Sequence, residues 1–283
     1  MTQDERTAAV LQYYNTHPIS EQQIMEKLQR DGHDPKDLTQ DVLQNYDQDH
    51  YGGTDANDAL AELVDLKASD HMLDVCCGLG GPSRYFANNF GCRVTGIDFT
   101  ESRIVGARRL TEIVGLDARV EFRTGDALNI PFENASFDVL VSQEAFCHIP
   151  DKDRLVAECA RVVRPGGRIA FTDILVTART TEDIRARLQA GMAFQELGSV
   201  EGYTAAFERE GCELVEVQEL AHLWCNILSE RLKMYRALKD QTVERYGQAH
   251  FNKWDSAYSF FVGLYKTGEL GGGRFLARRR PTA

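Results

Sequence analysis

The chain has 283 residues, long for one ordinary domain and short for two, enough to bury roughly 70–75% of its unfolded surface. A composition of 43% hydrophobic and 27% charged residues excludes a disordered or fibrous chain. The formal net charge of −11, from 32 Lys and Arg against 43 Asp and Glu, opposes any phosphate-tracking surface, so nucleic-acid binding is not expected. No run reaches the ~18 consecutive apolar residues of a membrane-spanning helix, and "MTQDERTAAV" carries no signal-peptide pattern. Seven cysteines, an odd number without a C-x-x-C pair, argue against a disulfide framework or zinc site and fit a reducing cytoplasm. No His/Asp/Glu cluster has metal-ligand spacing, so no metal is expected.

In chain order, residues 1–70 carry four helical patterns, "TAAVLQYYN", "SEQQIMEKLQRDG", "LTQDVLQNYDQ" and "DANDALAELVDL". From Met72 short apolar runs alternate with helices. "MLDVCC" reads as a strand and "GGPSRYFANNF" as a helix. "RVTGIDF" is a second strand, followed by the helix "SRIVGARRLTEIVG". "VEFRTGD" and "FDVLVSQEAF" are the third and fourth strands. "DKDRLVAECARVVRPGG" is a helix stopped by Pro165-Gly166-Gly167, and "RIAFTDIL" is the fifth strand. Alternating strand and helix implies right-handed βαβ units in a parallel sheet covered on both faces. "ELVEVQEL" reads as a sixth strand, residues 222–268 as two long helices parted near Gly247, and "GGGRFLARR" as a returning edge strand. The basic run "RFLARRRPT" that ends the chain reads as a solvated tail. The expected organisation is one structural domain: a helical cover over 1–70, an α/β core over 71–221, a helical insertion over 222–268, and an edge strand with tail over 269–283.

A strand that ends in a glycine-rich turn and opens a helix is a seat for a nucleoside, because glycine admits close approach and the free N–H groups of the helix start face the ligand. Here the glycines are Gly78 and Gly80, and Ser83 stands where a dinucleotide fingerprint has its third glycine. Asp74, in the first strand, can reach an ammonium group. Asp98, twenty residues past Gly78, can accept both hydroxyls of a ribose. Asp126 can accept the exocyclic amine of an adenine, and Phe99 can pack on the adenine face. Partners for an ammonium, a ribose and an adenine at successive strand ends describe S-adenosyl-L-methionine (SAM) better than NAD.

The segments "LDVCCGLGG", "VTGID", "GDALNIPFENASFDVLVSQEAFCHI" and "RVVRPGGRIAFTD" resemble the motifs of class I SAM-dependent methyltransferases, over about residues 70–176. Cys76 departs from the glycine usual in the first motif. The resemblance implies a Rossmann-like seven-stranded sheet with the last strand antiparallel. It also implies SAM, and its product S-adenosyl-L-homocysteine (SAH), at the carboxyl ends of strands 1 to 3. Cys76, Arg103 and Ala127 join Asp74, Gly78, Gly80, Asp98, Phe99 and Asp126 in this cofactor set.

"YDQDHYGGTDA" resembles the segment closing over the cofactor in sarcosine/dimethylglycine and phosphoethanolamine N-methyltransferases. Tyr46, Tyr51, Gly52 and Gly53 are the matching positions. "SQEAFCHIPDK" matches the acceptor loop of the same group, with His148 at its histidine, able to orient or deprotonate an acceptor and beside the cofactor as well. Gln143 is expected to frame the cofactor and Glu144 to bind a cationic acceptor. The insertion is aromatic, and Trp224, Tyr235, Trp254 and Tyr258 are its candidate substrate residues, since ring faces attract ammonium and sulfonium centres. The expected reaction is methyl transfer to a small amine of the glycine, sarcosine or dimethylglycine kind, with Tyr46 or Tyr51 and His148 handling the proton. A small thiol, a carbon nucleophile on an apolar substrate, and a SAM-binding regulatory protein remain open. The expected partner is the small-molecule acceptor, and a homodimer is open.

Overall fold

The computed structural model describes residues 8, 10–12, 14 and 19–281. Of the first predicted helix, over 7–15, residues 8, 10–12 and 14 are described and are helical; the other four lie outside the described residues. The remaining cover contains α1 (Glu21–Arg30), the short α2 (Gln40–Leu43) and α3 (Gly53–Leu63). The core then follows as β1 (His71–Val75), α4 (Gly81–Phe90), β2 (Arg93–Asp98), α5 (Glu101–Ile113), β3 (Val120–Thr124), β4 (Phe137–Gln143), α6 (Lys152–Val162) and β5 (Val163–Val176). Next come α7 (Glu182–Met192), α8 (Val200–Arg209), β6 (Cys212–Glu219), α9 (Ala221–Ala237), α10 (Lys239–Tyr246), α11 (Gln248–Lys266) and β7 (Leu270–Arg279).

The seven strands form one sheet in the order β3-β2-β1-β4-β5-β7-β6, in which β7 alone runs antiparallel to its neighbours. This is the Rossmann-like arrangement expected. Consecutive β1 residues face opposite sides, so Leu73 packs with α6 and α8 while Met72 packs with α3, α4 and α5. Both faces being covered explains why the strands read as continuous apolar runs. A third apolar cluster joins α7, α9 and α11 through Trp224, Phe261 and Tyr265 beside β5 and β7.

Four expectations are corrected. β7 is not an edge strand; it lies between β5 and β6, and β6 is the edge. In that inner position β7 buries Phe275, Leu276 and Ala277, whereas β6 exposes Val215 and Val217. The basic run is accordingly not a tail, since Arg274 through Arg279 belong to β7 and Arg279 donates to the carbonyls of Arg161 and Val163. Pro165-Gly166-Gly167 does not stop α6, which ends at Val162; the three residues sit in β5, where the register against β4 slips. The insertion holds three helices instead of two, broken at Leu238 as well as at Gly247. The strand–helix rhythm gave no reading for α7 and α8.

No helix among the described residues is long and apolar enough to cross a membrane. All seven cysteines are unpaired, and the described residues hold no group of three or more His, Cys, Asp or Glu arranged for a metal ion.

Candidate active site

The turn after β1 is built from left-handed residues: Cys76 at φ 63°, Gly78 at φ 55° and Gly80 at φ 75°. A Cβ at Gly80 would meet the Phe122 ring at 2.3 Å, so this glycine serves packing and does not line the cavity described below. Around Gly78 there is open space, and its N–H donates to Asp98 Oδ2 at 3.0 Å. Asp98 Oδ1 accepts from Thr100 N at 2.8 Å. Burial nonetheless raises the Asp98 carboxyl, against the pull of those two N–H bonds. Ser83 occupies the place of the third dinucleotide glycine and donates its hydroxyl to Asp74 Oδ2 at 2.5 Å. Burial pushes Asp74 up to about 7. The position that weakens an NAD reading therefore supports the first acid of the site.

A cavity of about 750 Å³ opens over these strand ends. Asp74, Cys76 and Gly78 line it from the first strand and turn, Asp98, Phe99 and Arg103 from the second, and Asp126 and Ala127 from the third. Phe99 stays 41% exposed, a ring face open to a planar partner. Cys76 is a poor nucleophile, because burial holds its thiol far above the usual range.

Residues 47–53 cross the mouth of the turn as a strap. Asp47 and Arg84 form a fully buried ion pair at 2.8 Å, and Arg84 also donates to Leu79 O, Ala107 O and Thr111 Oγ1. A Cβ at Gly81 would lie 2.3 Å from the Asp47 carbonyl oxygen, so glycine is required where the strap passes over the start of α4. Further along, Tyr51 N–H donates to Glu144 Oε2 at 2.8 Å, and the Tyr51 ring meets Trp224 edge-on with Arg231 over its face. Burial drives the Tyr51 phenol well above its usual range, so it keeps its proton and is no base.

Several predicted site residues stand elsewhere. Tyr46 is off the cavity wall and donates to Asp31 Oδ2 at 3.0 Å. Gly52 and Gly53, both left-handed, open α3 and do not line the cavity. Trp224 is buried against Gly272, where a Cβ would meet the indole at 2.3 Å, and is a packing residue. Tyr235, Trp254 and Tyr258 do line the wall formed by α9 and α11, together with Gln143, Glu144 and His148 from the end of β4 and its loop. Tyr235 stacks on Phe251, and burial takes Tyr258 up to about 12.

His148 is held by its surroundings. Its Nδ1 lies 3.2 Å from Ala193 O, an acceptor that puts the proton on Nδ1 and the lone pair on Nε2. The rings of Tyr14 and Phe194 meet it edge-on. Lys152 Nζ donates to Phe146 O, Ile149 O and Glu196 O, stapling the loop on both sides of the imidazole. Glu144 accepts from Thr172 Oγ1 as well as from Tyr51, and burial pushes its carboxyl up to about 7.

Tyr14, His50 and Arg231 line the cavity without having been predicted. The "DQDH" run before Tyr51 could have flagged His50; Arg231 sits in a helix whose cavity-facing side no local pattern reveals.

SAM fits what is present: Asp98 has further lone pairs for a ribose, while Gln143 Oε1 and Arg103 Nη2 are buried polar atoms with no protein partner on the cavity wall. A family profile described as a methyltransferase domain matches residues 73–171. Residues 73–171 therefore carry a methyltransferase domain, and the solved structure of Haemonchus contortus phosphoethanolamine N-methyltransferase 2 with phosphomonomethylethanolamine and SAH is similar at 25% identity, with a TM-score of 0.72 over 82% of this chain and 53% of that one. More particularly, the chain is 33% identical over 173 residues to methyltransferase GfsG of Streptomyces halstedii, which covers 60% of this chain and 62% of that protein. It is 29% identical over 201 residues to the 27-O-demethylrifamycin SV methyltransferase of Amycolatopsis mediterranei, covering 70% and 74%. The solved structure of a putative sarcosine dimethylglycine methyltransferase from Galdieria sulphuraria superposes with a TM-score of 0.76 over 93% of this chain and 99% of that one; at 18% identity this shows the fold alone.

Proposed function

We propose that this protein transfers a methyl group from SAM to a small amine. The observation that carries the reading is the joining of a half-buried carboxyl, Glu144, with an aromatic wall of Tyr235, Trp254 and Tyr258 around one cavity. A carboxylate and ring faces both favour a cationic nitrogen over a neutral one. When bound, SAM supplies an electrophilic methyl on a sulfonium. Asp74, Asp98, Phe99 and Asp126 would hold it, with Gln143 and Arg103 meeting its polar groups.

The chain's own work is then positioning and proton handling. His148 Nε2 takes the proton that the nitrogen must shed before its lone pair can attack, and the bond to Ala193 O steadies the imidazolium so formed. Glu144 balances the charge on the nitrogen, and α9 and α11 keep water out. Tyr51 orients through its hydroxyl without losing its proton.

A second reading has its own support. Met192, Phe194, Met234 and Leu238 add apolar surface to the cavity, which suits a hydroxyl or carbon acceptor on a larger apolar molecule. A panel of amines, alcohols, thiols and prenyl compounds with labelled SAM separates the two. Turnover with amines that drops in Glu144→Gln is the result expected; turnover confined to neutral apolar acceptors, unaffected by that change, contradicts the amine reading.

A further inference from the structure

A chain of hydrogen bonds runs from the buried ion pair into the cavity, and each member fixes the polarity of the next. Asp47 is held by Arg84 through Oδ2 and can only accept, so Gln48 turns its amide nitrogen to Asp47 Oδ1 at 2.8 Å. Gln48 Oε1 must then be the acceptor on its other side. It accepts from Asn57 Nδ2 at 2.8 Å and faces His50 Nε2 at 2.9 Å. A lone pair on Nε2 would oppose the Gln48 oxygen at that distance, so the His50 proton sits on Nε2. The longer contact of Nδ1 to Tyr51 O, 3.4 Å, is too weak to reverse this. His50 Nδ1 is therefore an acceptor, and Gln143 turns its amide nitrogen to it at 3.0 Å. That leaves Gln143 Oε1 buried, without a protein partner, on the cavity wall.

We infer that Gln143 Oε1 is oriented by His50, through Gln48 and the Asp47–Arg84 pair, to accept a hydrogen bond from the ammonium group of the bound cofactor. Only a donor satisfies a locked amide oxygen; a carboxylate there would face a lone pair. Asp74 lies on the adjacent strand, in register with Val141, two residues before Gln143, and both Asp74 and Gln143 line the cavity. A positive donor suits both. Burial keeps His50 neutral by lowering it to about 4, which preserves the polarity of the chain. His50 is thus a positioning residue, and Gln143 the group that touches the ligand.

The inference rests on the SAM reading, and calorimetry tests the two apart. The probes are SAH and its analogue lacking the α-amino group, titrated into the full chain. Wild type should prefer SAH. Gln143→Met should lose about tenfold of that preference, the worth of one charge-assisted bond. His50→Leu should lose a similar factor, and the double variant no more than Gln143→Met alone, because the two residues act as one unit. His50→Gln, which restores an acceptor facing Gln143, should recover the preference. If both single variants keep the wild-type preference, if their losses simply add, or if affinity for the two compounds falls equally, the relay is wrong. Failure of the wild type to bind either compound would instead sink the SAM reading itself.

Discussion

Glu144 Oε2 accepts the backbone N–H of Tyr51 at 2.8 Å, across 93 residues of sequence. One carboxyl thus ties the end of β4 to the strap over the glycine turn, and its second oxygen reaches Thr172 on β5. Glu144 itself sits at φ 44°, an uncommon conformation for a non-glycine residue that aims the carboxyl at the strap.

Three acids of the molecule hold their protons unusually well: buried Asp74 and half-buried Glu144, each pushed up to about 7, and buried Asp173, pushed up to about 6, all chiefly by desolvation. Between the usual carboxylate range near 4 and about pH 7 the folded chain holds protons that the unfolded chain has released. Stability is therefore predicted to fall as pH rises through that window and to level off above it. Thermal melts from pH 5 to 8 should show a declining Tm, with a shallower decline in Glu144→Gln. A Tm that climbs over the same range contradicts the desolvation of these groups.

Arg84→Met should be costly. It strands Asp47 in the interior without its partner, and losing one member of a buried pair costs about 3–5 kcal/mol. Urea titration of the variant measures this directly, and a loss below about 1 kcal/mol would mean that Asp47 is solvated.

Trp224 separates packing from substrate contact. Its indole fills the space left by Gly272, so Trp224→Ala should destabilise by about 3–5 kcal/mol. Trp254→Ala, on the cavity wall, should leave stability nearly intact and raise the KM for the acceptor. The reverse pattern would return Trp224 to the substrate set.

Lys152→Met removes three hydrogen bonds to carbonyls that bracket His148. A displacement of even ~1 Å at a proton-handling group can cost about 10²-fold in rate. The prediction is a kcat lower by that order, with SAH affinity within about twofold of wild type, and partial rescue in Lys152→Arg. Equal loss of kcat and SAH affinity would show general disruption instead.

What the sequence discloses here follows from the range of the forces involved. The β1–turn–α4 unit and the strand ends that carry Asp98 and Asp126 are legible because strand ends and glycine turns are local patterns. Buried faces gave β1 through β6 in turn. β7 was misplaced because sheet order is set by long-range pairing: nothing in "GGGRFLARR" says that β6 will lie outside it. Tyr46 and Trp224 failed for a related reason. An aromatic side chain near a site has the same local signature whether it faces the cavity or the core. The "DQDH" run marks His50 as a polar residue before Tyr51, but its role depends on Gln48 and Gln143, one of them 93 residues away.

Titration calorimetry with SAH, on the wild type and on Asp98→Ala, bears most directly on the whole account. Binding at one site per chain, weakened about thirtyfold or more when the charged acceptor for the ribose is removed, is the predicted result. An absence of measurable association with the wild type, or identical affinities for the two proteins, would contradict it.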